Sequence, residues 1–287
     1  MEKSTKIVLV IIAIVFVLLV LRLAINLNNQ SHKGNFQNNT IPSGNLNIQY
    51  GEYPKQIFDF YAPADGQNSD KLIIIIHGGA WILGDKSQFN SHSRFFSEQG
   101  FGVVNMNYRL APTWEYDTQL RDITNLINFV DANKERFKLN PGYKIILVGH
   151  SAGAHLSDLY GVRESYYGGN KNIDYVVSLA GPTDIPVYNP EGELDRALQA
   201  FMGDATKEEI SPSRHVSENE QTRFLLIIGT ADPLVPENQV TIFENVLREK
   251  NAYVETMIVE GRNHNSIETG IPNNDEVAQK ILEFIGN

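Results

Sequence analysis

Five residues, Gly149-His150-Ser151-Ala152-Gly153, follow directly on the apolar run Lys144-Ile145-Ile146-Leu147-Val148. Few local patterns restrict a fold more. A strand that ends in Gly-x-Ser-x-Gly and runs on into a helix must turn sharply at the serine. The serine takes a strained backbone conformation and its hydroxyl is pushed into the open. Strand and helix then pass so closely that the positions two residues to either side suit glycine. A glycine-rich helix start supplies the same letters, so the remaining strand ends have to decide between the two readings.

Those ends are readable. Lys71-Leu72-Ile73-Ile74-Ile75-Ile76 is unbroken aliphatic sequence, as in a strand covered on both faces. Segments 101–107, 144–148, 173–179, 223–228 and 253–259 repeat that character. Residues 46–50 and 56–61 read as an antiparallel edge pair joined by a Gly-Glu-Tyr-Pro turn. Between the runs, Leu120, Ile123, Ile127 and Val130 fall at helical spacing, as do Ile242, Val246 and Leu247, and later Val277, Ile281, Leu282 and Ile285. Strands alternating with helices predict an α/β fold: a mostly parallel, twisted sheet with helices on both faces.

Ligands of such sheets bind at the carboxyl ends of the strands. After Ile76 comes His77-Gly78-Gly79-Ala80-Trp81; after Val148, the serine turn; after Ile228, Gly229-Thr230-Ala231-Asp232-Pro233; after Val259, Glu260-Gly261-Arg262-Asn263-His264. A glycine turn, a serine, an aspartate and a histidine therefore share one rim. A serine hydroxyl needs an adjacent base, and the base an orienting acid. The order Ser151, Asp232, His264 is the one this kind of turn is used with.

The chain has seven histidines. His32 falls in a polar tether. His92 and His215 are expected in solvated helix or loop. His150 and His155 flank the serine as structural or substrate-lining residues, and His77 opens the glycine turn as a loop brace. His264 is the expected base. Asp184, at the end of the 173–179 strand, rivals Asp232 as the acid; its alternative role is to cap a turn. Gly78, Gly79 and Ala80, with the N–H of Ala152, are the candidate oxyanion hole, because backbone donors reach a developing charge only where side chains are small.

Net charge is −10, but residues 1–40 carry Lys3, Lys6, Arg22 and Lys33 against Glu2, so the rest of the chain carries −13. An acidic body offers no basic stripe for phosphates, which argues against nucleic acid as a partner. With no cysteine, thiol catalysis, disulfides and Cys-ligated zinc are excluded. Residues 7–21 are all apolar, and the run extends to Leu27 if Arg22 snorkels. Its length favours a membrane anchor through residues 7–27 over a cleaved signal segment. Lys3 and Lys6 ahead of it place the catalytic body outside the cytoplasm; cleavage would make the protein secreted. Residues 28–44 read as a polar tether, and a catalytic domain is expected over 45–287.

His77-Gly78-Gly79-Ala80-Trp81, Asn107-Tyr108-Arg109-Leu110-Ala111-Pro112, Gly149–Gly153 and Gly229-Thr230-Ala231-Asp232-Pro233-Leu234-Val235-Pro236 together resemble the esterase/lipase branch of the α/β-hydrolase superfamily. The chain is more similar to its acetyl-xylan/feruloyl-esterase-like and kynurenine-formamidase-like group than to the hormone-sensitive-lipase group. That last group has a third glycine where Ala80 stands and an aspartate where His150 stands. Arg262-Asn263 departs from the small residues common before the histidine.

The resemblance implies hydrolysis of a short-acyl or aryl carboxylic ester through an acyl-serine intermediate, with no metal or organic cofactor. It also implies a small lid over 181–222. Trp81, His150, Tyr188, Phe201 and Met202 are its pocket candidates, with simple packing as the other role open to them. An amidase or peptidase of the same fold is the enzymatic alternative. A surface binding protein that had lost catalysis would lack one of the three residues, and none is missing.

Overall fold

A computed structural model describes residues 45–169 and 171–286. The apolar run at 7–27 and the tether at 28–44 lie outside the described residues. Among the described residues, no helix is long and apolar enough to cross a membrane.

Among the described residues, eight strands form one sheet: β1 (Ile48–Gln49), β2 (Ile57–Tyr61), β3 (Ser69–Ile76), β4 (Gly102–Met106), β5 (Leu139–His150), β6 (Tyr175–Leu179), β7 (Arg223–Gly229) and β8 (Val254–Val259). Their spatial order is β1-β2-β4-β3-β5-β6-β7-β8. The pairs β1/β2 and β2/β4 are antiparallel; every other pair is parallel. Leu72 to Ile76 are buried along their whole length, which explains why β3 carries no polar alternation. β5 starts earlier than its apolar run, because Leu139 pairs with Ser69 ahead of a register shift.

The longer connecting helices are α1 (Asn90–Glu98), α2 (Tyr116–Ala132), α3 (Ala152–Gly161), α6 (Gly192–Met202), α7 (Asn238–Glu249) and α9 (Glu276–Gly286), with one-turn pieces α4 (Glu164–Tyr167), α5 (Ile185–Tyr188) and α8 (Ser266–Thr269). In α2 the expected stripe of Leu120, Ile123, Ile127 and Val130 is buried, joined by Leu126. In α7 the buried face differs from expectation. Val240, Phe243 and Leu247 point inward, while Ile242 and Val246 are only half-buried. Phe243 sets that rotation by packing edge-on against Phe224 of β7. In α9 Val277, Ile281 and Ile285 are buried together with Ala278 and Phe284, and Leu282 lies at the margin.

Strand register brings the loops together. Ile76 lies opposite Gly149, Leu179 opposite His150, and Gly229 opposite Val259. The segments that follow β3, β5, β6, β7 and β8 therefore leave the sheet along one rim.

Candidate active site

Ser151 sits between β5 and α3 with φ 56° and ψ −121°. This left-handed backbone is costly for a residue with a side chain, on the order of 1–3 kcal/mol. It is held there from both sides: the Ser151 N–H donates to the Leu179 carbonyl at 2.8 Å, and His155 N–H donates to the Ser151 carbonyl at 3.0 Å. The flanking glycines are obligatory. A Cβ on Gly149 would sit inside the Gly153 carbonyl, and one on Gly153 inside the Ile76 carbonyl.

The His264 ring lies between two partners. Its Nε2 is 2.8 Å from Ser151 Oγ and its Nδ1 is 2.8 Å from Asp232 Oδ2. A carboxylate only accepts, so Nδ1 carries the proton and Nε2 is free to accept from the serine. Asp232 uses both oxygens, since Oδ1 accepts from the N–H of Leu234 and of Val235 at 2.8 and 2.9 Å. Burial alone would raise its pKa. The His264 hydrogen bond and charge and the two backbone donors outweigh that and hold it below the usual carboxylate range. The rival, Asp184, is placed elsewhere. It caps α5, accepts from Ser213 Oγ at 2.9 Å and pairs with Arg214 at 2.7 Å.

The turn after β3 has three consecutive residues at positive φ: Gly79 at 124°, Ala80 at 49° and Trp81 at 61°. Among the described residues, no backbone hydrogen bond takes up the N–H of Gly79, Ala80 or Ala152. Gly78 packs directly on the serine turn, where an added Cβ would lie 3.0 Å from the His150 carbonyl and 3.1 Å from Ser151 Cβ. Tyr108, in the second motif, holds this turn by donating to the His77 carbonyl at 2.9 Å and stacking on the His77 ring. Next to it, Arg109 bonds the buried Asp122 carboxylate and packs against the rings of Tyr53 and Trp114, 4.8 Å from each centroid.

Several pocket candidates turn out to be packing residues. Trp81 and Phe201 are 1% and 0% exposed and stack on each other with centroids 4.8 Å apart. Met202 belongs to the same core. Tyr188 is buried close enough to Asp232 for that carboxylate to add to the rise in its pKa that burial causes. His150 turns its ring away from solvent and onto the His264 main chain. The 181–222 segment contributes α5, α6 and a 3-10 turn over Pro212–Arg214, and Thr183 Oγ1 fastens it to the Gln239 carbonyl at 2.6 Å.

His92 corrects an expectation. It is buried rather than solvated, with Nε2 2.6 Å from Glu268 Oε2. Arg262 and Asn263, which looked out of place before the histidine, shape its loop. Arg262 binds the Ser266 carbonyl, Asp275 and Glu276, while Asn263 Oδ1 accepts from the N–H of Asn265 and of Ser266. Glycine at 229 lets that loop close on β7, since a Cβ there would overlap the Arg262 carbonyl.

Fold and rim together define an α/β-hydrolase with serine, histidine and aspartate aligned at the strand ends. Residues 58–247 match the BD-FAE family, and the chain belongs to that family. It is similar to a probable isoprenylcysteine alpha-carbonyl methylesterase of Oryza sativa subsp. japonica, at 23% identity over 83% of this chain and 63% of that protein. It is also similar to esterase LipC of Mycobacterium tuberculosis, at 28% identity over 70% of this chain and 54% of that one. The chain thus spans less than two thirds of either relative. A truncated carbohydrate esterase from gut microbiota has the same fold, with TM-score 0.71 and 22% identity over 84% of this chain and 95% of that one.

Proposed function

We propose that this protein is a serine carboxylesterase. The observation that carries the reading is the unbroken hydrogen-bond line Ser151 Oγ–His264 Nε2 and His264 Nδ1–Asp232 Oδ2, both at 2.8 Å. In the reaction, His264 takes the Ser151 proton as Oγ attacks the ester carbonyl, and returns it to the departing alkoxide. An acyl-Ser151 ester is left behind. Water, deprotonated by the same ring, then attacks the acyl carbon, and the ring returns that proton to Ser151 Oγ as the acid leaves. Asp232 keeps the ring in the required tautomer and stabilises the imidazolium.

The N–H groups of Gly79, Ala80 and Ala152 are the donors for the tetrahedral oxyanion, a role in which one donor contributes about 10²–10³ in turnover. The esterase names of similar proteins support an ester over an amide, and a short acyl or aryl ester is the substrate class we assign. The 181–222 segment is the part of the chain that sets specificity. Residues 7–27 we assign, from their sequence alone, as an anchor that holds this body outside the cytoplasm; carbonate extraction of membranes tests that assignment.

The activity test uses the purified full-length protein with p-nitrophenyl acetate, butyrate and octanoate beside the matching p-nitroanilides. Ester hydrolysis that falls off with chain length and disappears in Ser151→Ala is expected. Turnover retained in Ser151→Ala overturns the mechanism, and faster cleavage of anilides than esters overturns the substrate class.

A further inference from the structure

His150 is the last residue of β5 and the immediate neighbour of Ser151. Its Nε2 lies 2.7 Å from the main-chain carbonyl of His264. A carbonyl only accepts, so this ring carries its proton on Nε2 and leaves a lone pair on Nδ1. The two imidazoles face each other with centroids 5.0 Å apart and planes at 45°. The ring backs onto Phe89, and His264, Glu268 and His92 are the titratable groups around it. Burial, aided by the nearby His264, pushes its pKa down to about 4, so the Nε2–H donor is the neutral ring's only proton at neutral pH.

Several contacts hold the loop that carries His264. Arg262 binds it from within at the Ser266 carbonyl, and His92 of α1 holds it through Glu268. Among the described residues, only His150 bonds the main chain of His264 itself. It does so from the end of the strand that leads into the serine. The distance from Ser151 Oγ to His264 Nε2 is therefore bridged by a second, shorter route than the sheet, through one side chain adjacent to the serine. Gly78 packs on the same residue, since a Cβ there would lie 3.3 Å from His150 Nδ1. Serine turn, base loop and glycine turn thus meet at one ring.

We propose that His150 is a positioning residue, whose Nε2–H bond to the His264 carbonyl fixes the base against the Ser151 hydroxyl. The inference rests on the assignment of Ser151 as nucleophile and His264 as base. It makes the residue in the variable position of Gly-x-Ser-x-Gly part of the apparatus that aligns proton transfer, rather than a wall of the substrate pocket.

The test compares His150→Phe, which keeps a ring without a donor, His150→Asn, whose amide is too short to reach the carbonyl, and His150→Gln, whose amide nitrogen can occupy the Nε2 position. All are made in the full-length chain, beside Ser151→Ala. The readouts are the rate at which a fluorophosphonate labels Ser151, followed by intact mass, and the pH dependence of kcat and KM for p-nitrophenyl acetate.

Phe and Asn are expected to slow labelling and kcat by about 10–100-fold, the scale of an ångström's misplacement of a reacting group. KM is expected to stay within about twofold, with the acid limb of the pH profile displaced, because the reacting base is loosened while the binding surface is kept. Gln is expected to restore both rate and limb. Wild-type rates in Asn and Phe overturn the proposal, as does a Gln variant as slow as Asn with the acid limb unmoved, which is what packing alone predicts. Wild-type protein that the probe does not label, or Ser151→Ala that it does, overturns the nucleophile assignment instead.

Discussion

The indole N–H of Trp81 donates to Nδ1 of His155 across 3.2 Å, and the opposite nitrogen of the same imidazole donates to the Ile210 carbonyl at 2.7 Å. Indole only donates and a carbonyl only accepts, so the ring has one possible tautomer. It links the turn after β3, the helix after Ser151 and the 181–222 segment. The link matters because Ala80 and Trp81 both hold a left-handed backbone, which only firm packing sustains. The Trp81 carbonyl is anchored as well, by Ala111 N–H at 3.1 Å and Gln119 Nε2 at 3.0 Å.

Trp81→Phe keeps an aromatic face on Phe201 and removes the donor. Nδ1 of a fully buried His155 is then left unpaired, at a cost of about 1–3 kcal/mol in unfolding free energy. Turnover is expected to fall about tenfold with KM unchanged, less than the loss of a whole oxyanion donor. Urea denaturation and steady-state kinetics measure the two effects separately. A variant destabilised yet fully active would show that the turn holds its shape without this bond.

Gly153→Ala is expected to cost about 3 kcal/mol, the top of the usual range for overpacking, because its methyl would occupy the Ile76 carbonyl and neither backbone can retreat. Gly142 gives the contrast: it has φ 80° and open space around an added Cβ, so alanine there meets only the left-handed penalty of about 1–2 kcal/mol. Melting curves of the two variants rank them, and equal losses would refute the crowding argument.

Asp232→Asn and Asp184→Asn separate chemistry from packing. An amide at 232 presents the wrong partner to His264 Nδ1, a change that in serine proteases lowers turnover by about 10⁴. At 184 the change weakens the bonds to Ser213 and Arg214, which is expected to lower stability by about 1–3 kcal/mol and leave kcat nearly intact. Kinetics on both variants test the assignment, and the reverse ranking would move the acid to Asp184.

What the sequence made readable follows from range. The strands were visible because short aliphatic runs such as Leu72–Ile76, bounded by turn residues, fit a strand covered on both faces, and their ends pointed to the rim. The glycine spacing at 149 and 153 encoded a local steric fact, and it showed. Contacts between distant segments did not. His92 lies in α1 among serines, an asparagine and an arginine, and the carboxylate that explains its burial is Glu268, 176 residues on. Trp81 and His155 are 74 residues apart, and nothing in either stretch announces the bond. Arg262 looked anomalous because its partners Asp275 and Glu276 lie beyond the histidine it supports. The rotation of α7 is not legible in the sequence, because Ile242 and Phe243 are adjacent and both apolar; only the face of β7 chooses between them.

Three buried histidines are expected to lower stability as the solution is acidified from neutrality. Burial pushes His77, His150 and His155 each down to about 4, whereas in the unfolded chain they titrate near 6.5. Between those values the unfolded state binds protons that the folded state refuses. The stabilisation is therefore complete above about pH 6.5 and is lost progressively as pH falls toward 4. The three rings contribute up to about 4 kcal/mol per pH unit, since one proton is worth ~1.4 kcal/mol per unit. They are opposed by Glu164, which burial raises to about 7, and by Asp158, which burial also pushes upward, because these carboxyls take up protons in the folded chain first. Asp85, held down to about 2 because backbone and side-chain hydrogen bonds outweigh its burial, titrates below that window and leaves it undisturbed. Urea unfolding at a series of pH values between about 7 and 5 measures the slope, and His150→Gln should lower it by about one proton. An unchanged slope in His150→Gln would mean that this ring is not kept neutral by the fold.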